Sequence, residues 1–239
     1  MLKSLVKRAI RRLGFDLRRY HPASSEAAQI MAMLSVHGVN LVFDVGANIG
    51  QFGRSLRDAS YSGRIVSFEP LSAAWKQLVA TGRNDSMWEI APRAAIGSDN
   101  GEIEIHIASN SASSSILDML DSHVNAAPES RYIGSEKVPL RRLDSIGLNY
   151  LHPDSVAFLK IDTQGYEDRV LRGATDLFKR LVGLQLEMSL VPLYEEQLLF
   201  DDLREQLQAK GYALWGISPA FVDPNNGRLL QVDATFFRC

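Results

Sequence analysis

From residue 40 onward, short apolar runs alternate with amphipathic stretches, and this alternation is what most limits the fold the chain can adopt. Continuous apolar runs separated by helical periodicity belong to a mostly parallel sheet covered by helices on both faces. The pattern predicts strands near 41–45, 64–68, 88–96, 156–161, 182–187, 212–217 and 232–238, with helices near 51–59, 72–81, 166–180 and 199–209. The fold class is therefore α/β, doubly wound. Pro92 falls inside the third run, and proline cannot donate to a ladder on both sides, so that strand is expected at a sheet edge. Residues 101–107 alternate strictly and read as an extra, half-exposed strand, followed by a polar loop over 109–115. Asn225-Asn226-Gly227 is a hairpin turn signal that suits an antiparallel last pair.

The amino terminus follows different rules. Apolar positions 2, 5, 6, 9, 10 and 13 lie at helical spacing with bases between them, giving a basic amphipathic helix that Gly14 ends. The first 20 residues carry seven basic side chains against the single acid Asp16, although the whole chain has a formal charge of −2. Such a helix either packs on its own domain or makes peripheral contact with a membrane surface. A second helix is predicted over about 24–36, capped by Ser24 or Ser25. The expected division is a helical segment over 1–38 and a single domain over 39–239. The lone Cys239 excludes an internal disulfide, and no apolar run approaches the roughly 18 residues that span a bilayer. These features fit a cytoplasmic protein, with peripheral contact at the inner membrane face open, and no nucleic-acid partner is expected.

The richest chemistry lies in Leu41-Val42-Phe43-Asp44-Val45-Gly46-Ala47-Asn48-Ile49-Gly50, a strand running into a glycine-bearing turn. Such a turn lets a ligand approach bare backbone at the carboxyl end of the sheet, and Asn48 tolerates positive φ. A dinucleotide fingerprint would need glycines at 46, 48 and 51, where the chain has Gly46, Asn48 and Gln51. Asp44 would repel a phosphate and welcome an ammonium or sulfonium cation. Glu69-Pro70 places a carboxylate on the tip of the adjacent strand, where it can accept from both hydroxyls of a ribose or cap the next helix. Asp162, in Lys160-Ile161-Asp162-Thr163-Gln164-Gly165-Tyr166-Glu167, and Glu187, in Leu186-Glu187-Met188-Ser189, end two further strands. The two acids share a metal, divide base and binding roles, or cap helices.

Together, Asp44-Val45-Gly46-Ala47-Asn48-Ile49-Gly50, Phe68-Glu69-Pro70, the block from Lys160 to Glu167, Glu187-Met188-Ser189 with Pro192-Leu193-Tyr194, and Asp233-Ala234-Thr235-Phe236-Phe237 resemble the FkbM family of methyltransferases. The resemblance covers about 40–239. It implies a Rossmann-like, seven-stranded sheet with a reversed last strand, S-adenosylmethionine as methyl donor, and O-methylation of sugars or other natural-product hydroxyls. Carried over residue by residue, it implies that Asp44, Gly46, Asn48 and Gly50 hold the methionine part, and Glu69 the ribose. Ala94 and Ala95, on the edge strand, would flank the adenine, and Asp162 would sit near the transferred methyl. The acceptor-side loops would be 106–140 and 189–200.

An alcohol acceptor must lose its proton as the new bond forms, so Asp162 or Glu187 is the expected base, with His106 a remote third. A divalent metal such as magnesium, held by Asp162 and Glu187, is left open. Two other classes fit less well: a non-catalytic nucleoside-binding or scaffold protein, which needs Asp44 and Glu69 without Asp162, and a nicotinamide oxidoreductase, which the broken glycine pattern opposes.

Overall fold

The computed structural model describes residues 2–16 and 19–239. Arg18, one of the seven amino-terminal bases, lies outside the described residues. Helix α1 (Leu2–Arg12) ends at Gly14, whose φ is +83°. Its bases Lys7, Arg8, Arg11 and Arg12 are exposed, as are Val6, Leu13 and Phe15. Helix α2 (Glu26–Val36) starts where the Ser25 hydroxyl accepts from the Ala28 amide at 3.4 Å. It buries Ala28, Met33 and Leu34, the last two in a cluster with Val42, Leu56 and Phe158.

The alternating region forms β1 (Leu41–Val45), α3 (Gln51–Asp58), β2 (Arg64–Phe68), α4 (Ser72–Gly82) and β3 (Trp88–Ile90). Next come β4 (Ala95–Gly97), β5 (Gly101–Ala108), α5 (Asp121–Ala126), β6 (Tyr132–Arg142), α6 (Leu143–Ile146), β7 (Ala157–Ile161) and α7 (Glu167–Arg172). The chain ends with β8 (Leu181–Ser189), α8 (Phe200–Ala209), β9 (Tyr212–Val222) and β10 (Leu229–Arg238). Seven strands make one sheet in the order β3-β2-β1-β7-β8-β10-β9. The pairs β1–β2, β1–β7, β2–β3 and β7–β8 are parallel, while β10 runs antiparallel to both β8 and β9. This is the doubly wound α/β fold with its last strand reversed. No helix among the described residues is long and apolar enough to cross a membrane.

Strand alternation decides where the chemistry goes. Phe43, Leu159, Leu184 and Phe236 face one core, and Val42, Phe158 and Phe237 face the other. Phe158 is fully buried, and truncating such a ring to alanine costs about 3–5 kcal/mol. Two residues further along each strand, Asp44 and Lys160 lie on the Val42–Phe158 face, at the carboxyl end of the sheet.

Four sequence expectations are corrected. The run 88–96 is two strands: β3 is the edge of the large sheet, while β4 pairs in a second, three-stranded sheet of order β4-β6-β5, with Pro92 in the connection. Ala94 is therefore in that connection and Ala95 opens β4, so neither lies on the large sheet's edge strand. The stretch 106–140 is not all loop, since it holds α5 and most of β6, which pairs with β5 in register Ile103↔Val138. The helix expected over 166–180 stops at Arg172, and the next residue, Gly173, packs on the small sheet, where an added Cβ would come within 1.9 Å of the Gly97 carbonyl oxygen.

Candidate functional site

The strand-to-helix turn after β1 is held open by backbone geometry. Gly46, Asn48 and Gly50 adopt φ of +81°, +47° and +90°. At Gly46 no other residue fits, since a Cβ would sit 1.8 Å from the Asp162 carbonyl oxygen. The Gly46 and Ala47 amides both donate to the Phe68 carbonyl at 3.0 Å, tying the turn to β2. Glu69 closes it: one carboxylate oxygen accepts from the Asn48 amide and the other from the Leu71 amide, each at 2.8 Å. Each oxygen keeps a further lone pair for a ligand. Burial, partly offset by these two amides, raises Glu69 to a pKa of about 7.

Asp44 is fully buried. One of its oxygens accepts from Ser67 Oγ at 3.1 Å, and that hydroxyl is itself fixed by Trp88 Nε1 at 2.9 Å. The other, Oδ1, has no hydrogen-bond partner among the described residues. Burial raises Asp44 to about 6 against the opposing pull of Lys160. A buried carboxylate oxygen without a donor is costly unless a ligand supplies one.

These groups line a cavity of about 190 Å³ at the carboxyl ends of β1, β2 and β7. Asp44, Gly46, Asn48, Glu69, Ala94, Ala95 and Asp162 all line it; Gly50, Glu187 and His106 do not. The loop 109–115 forms one wall, with Ser111 Oγ 3.2 Å from Asn48 Nδ2.

The second acid site is a relay through one amide. Gln164, at φ +54°, donates from the same Nε2 to Asp162 Oδ1 at 2.7 Å and to Glu187 Oε2 at 2.6 Å. Its own carbonyl oxygen accepts from Tyr194 at 2.8 Å. Lys160, buried, donates to Asp162 Oδ2 at 2.7 Å. Burial acts to lower the lysine's pKa, but Asp162, Asp44 and Asp233 prevail and raise it, so the ammonium is permanent. Glu187 also accepts from Gln231 at 2.9 Å, and burial together with Asp162 and Asp233 lifts it well above the usual carboxylate range. Glu167 binds its own turn, one oxygen collecting the Thr163 amide at 2.9 Å and the Gly165 amide at 3.2 Å.

The structure thus brings Asp162 and Glu187 onto one amide and leaves His106 elsewhere, stacked on Tyr132 and 3.3 Å from Asp118. Among the described residues, no group of three His, Cys, Asp or Glu side chains is arranged to hold a metal ion. Sequence reasoning passed over Lys160 and Gln164. The first left a signal, a lysine inside the otherwise apolar five-residue strand Ala157–Ile161, where a charge needs a partner.

No curated protein sequence matches the chain. Among solved structures, it is similar to methyltransferase FkbM from Methylobacillus flagellatus KT, with a TM-score of 0.53 at 14% identity. The match covers 83% of this chain and 43% of that one, so the chain spans less than half of that protein's length. Magnesium protoporphyrin IX methyltransferase from Synechocystis PCC 6803 has a TM-score of 0.48 at 10% identity, over 89% of this chain and 78% of that one. The profile of the Methyltransferase FkbM domain matches residues 44–214, most of the alternating region and its carboxyl-end site, and the chain belongs to the FkbM methyltransferase family.

Proposed function

We propose that the chain is an S-adenosylmethionine-dependent O-methyltransferase acting on a hydroxyl of a sugar, glycoconjugate or other natural product. The observation that carries this reading is the unpartnered Asp44 Oδ1 in a cavity shared with Glu69 and Asp162, because it suits a cationic nucleoside ligand. The cofactor, when bound, supplies an electrophilic methyl group on a sulfonium. Asp44 and the open turn at Gly46 and Asn48 would hold its amino-acid end, with Gly50 keeping that turn in shape. Glu69 would take the ribose, and Ala94 and Ala95 would lie against the base.

On the protein side, Asp162 receives the acceptor hydroxyl's proton. Lys160 and Gln164 each hold one of its oxygens, which fixes the carboxylate in one orientation and leaves lone pairs toward the cavity. Glu187 acts through Gln164 as a positioning residue, gripping the same amide from the other side. His106 has no part in this arrangement.

The test is transfer of tritiated methyl from labelled S-adenosylmethionine to a panel of methyl glycosides. Asp162→Asn is expected to cut transfer by about 100-fold or more, the range of a lost general base, while cofactor affinity stays within threefold. Unchanged transfer in Asp162→Asn removes that residue from the chemistry. Label appearing on amines and not on hydroxyls removes the O-methylation reading.

A further inference from the structure

A second concavity, of about 230 Å³, lies between α2, α3 and the β8–β10–β9 side of the sheet. Glu26, Gln29, Phe52, Gln185, Asp233 and Thr235 line it. One buried polar atom among them lacks a partner. Gln185 is 8% exposed and its Oε1 is buried without a hydrogen-bond partner among the described residues. Thr235 is 3% exposed, and none of the side chains of Glu26, Gln29, Asp233 and Thr235 makes a hydrogen bond or ion pair with another described residue. Buried polar groups are ordinarily paired, and the unpaired Gln185 oxygen, beside half-buried Asp233 and Gln29 whose side chains are also without partners among the described residues, marks a place where a polar ligand completes the bonding.

The groove adjoins the first cavity. Phe52 lines both, with Lys160 Nζ 5.4 Å from the centre of its ring. Asp233, directly opposite Glu187 on the paired strand, lies close enough to Lys160 and Asp162 to feel both charges. The chemistry of the walls narrows the ligand. Two carboxylates, two amides and three hydroxyls line the groove, and no lysine or arginine does, so a phosphate would meet like charge with no cation to pair with. Hydroxyl donors suit the carboxylates, and the exposed part of the Phe52 ring suits the C–H face of a pyranose.

We infer that this groove is the acceptor subsite, and that it takes an uncharged polyhydroxylated ligand, a glycoside without phosphate, whose reacting hydroxyl passes Phe52 toward Asp162. The inference rests on the methyl-transfer reading above. It also moves the acceptor from the loops 106–140 and 189–200, which the family resemblance favours, to the opposite flank beneath α2.

The experiment is saturation-transfer NMR on the full chain with saturating S-adenosylhomocysteine. The probes are the methyl glycosides of glucose, galactose, mannose and rhamnose, with glucose 6-phosphate and UDP-glucose as anionic counterparts. At least one methyl glycoside is expected to bind, and Asp233→Asn and Thr235→Val, both near-isosteric, each weaken it at least fivefold. Neither changes the S-adenosylhomocysteine dissociation constant by more than twofold. If S-adenosylhomocysteine binds but no methyl glycoside does, if both variants bind the glycoside as the wild type does, or if only the phosphorylated sugars bind, the subsite assignment is overturned alone. Failure to bind S-adenosylhomocysteine overturns the methyl-transfer reading and the subsite with it.

Discussion

Lys160→Met tests the electrostatic arrangement of the site. The lysine side chain is 8% exposed and its ammonium lies 2.7 Å from Asp162, itself 28% exposed, so solvent screens the pair little. At that distance and an effective dielectric of about 20, the attraction is roughly 6 kcal/mol, against a desolvation cost of several kcal/mol per ion. Methionine keeps the volume of the chain but leaves Asp162, Asp44 and Asp233 without their common cation. Removing one partner of a buried pair costs about 3–5 kcal/mol, and that is the loss expected in urea unfolding followed by circular dichroism at pH 8. Asp44 and Asp233 already titrate near 6, and each is pulled down by Lys160. Without the lysine they take up protons at higher pH and relieve the repulsion, so the loss is smaller at pH 5.5 than at pH 8. A loss under about 1 kcal/mol at pH 8, or one no smaller at pH 5.5, refutes the reasoning.

The stability of the unliganded wild type has a definite pH slope. Burial raises Asp44 and Asp233 to about 6 and Glu69 and Glu167 to about 7. A raised folded-state pKa contributes stability that is complete below the unfolded value, near 4, and is lost as pH rises through 6 and 7. Tm is therefore expected to climb as pH falls from 8 to 5, and a steady decline over that interval contradicts the assignment. For α1, whose exposed bases flank exposed Val6, we propose binding to anionic lipid at the cytoplasmic membrane face. The full chain is expected to sediment with phosphatidylserine vesicles at low salt and a chain lacking residues 1–16 is not; equal sedimentation rejects the contact.

Much of this molecule was legible because parallel strands buried on both faces write themselves as apolar runs. Strands β1, β2 and β7 begin and end within a residue of the pattern, and α2, α3, α4 and α8 start within about two. The small sheet was hidden for a physical reason. Strand β6 reads Tyr-Ile-Gly-Ser-Glu-Lys-Val-Pro-Leu-Arg-Arg and is half exposed, so it carries neither an apolar run nor a clean alternation. Pro92 sits in an apolar run that resembles one edge strand, yet it marks the crossing between two sheets. A boundary near residue 38 follows the change in periodicity, yet α2 sends Met33 and Leu34 across it into the core. At the site, Asp44, Glu69 and Asp162 stood out because each ends an apolar strand. Gln164 did not, because its importance lies in a left-handed φ and in two carboxylates, on Asp162 and Glu187, that only the β7–β8 pairing brings to one amide. The groove beneath α2 assembles Glu26 with Asp233, from opposite ends of the chain, and no local pattern announces that.

The central claim is that Asp44 Oδ1 awaits a cationic nucleoside ligand, and calorimetric titration of S-adenosylmethionine into wild type and Asp44→Asn tests it most directly. The carbonyl oxygen of the substituted amide can still accept from Ser67, so the turn is preserved, and circular dichroism spectra of the two proteins should superimpose. Loss of one charge-assisted contact of about 1.5–3 kcal/mol predicts one-to-one binding in the wild type and affinity weakened by roughly 10- to 100-fold in the variant. Equal affinity in the two proteins, or no binding to either, contradicts the account.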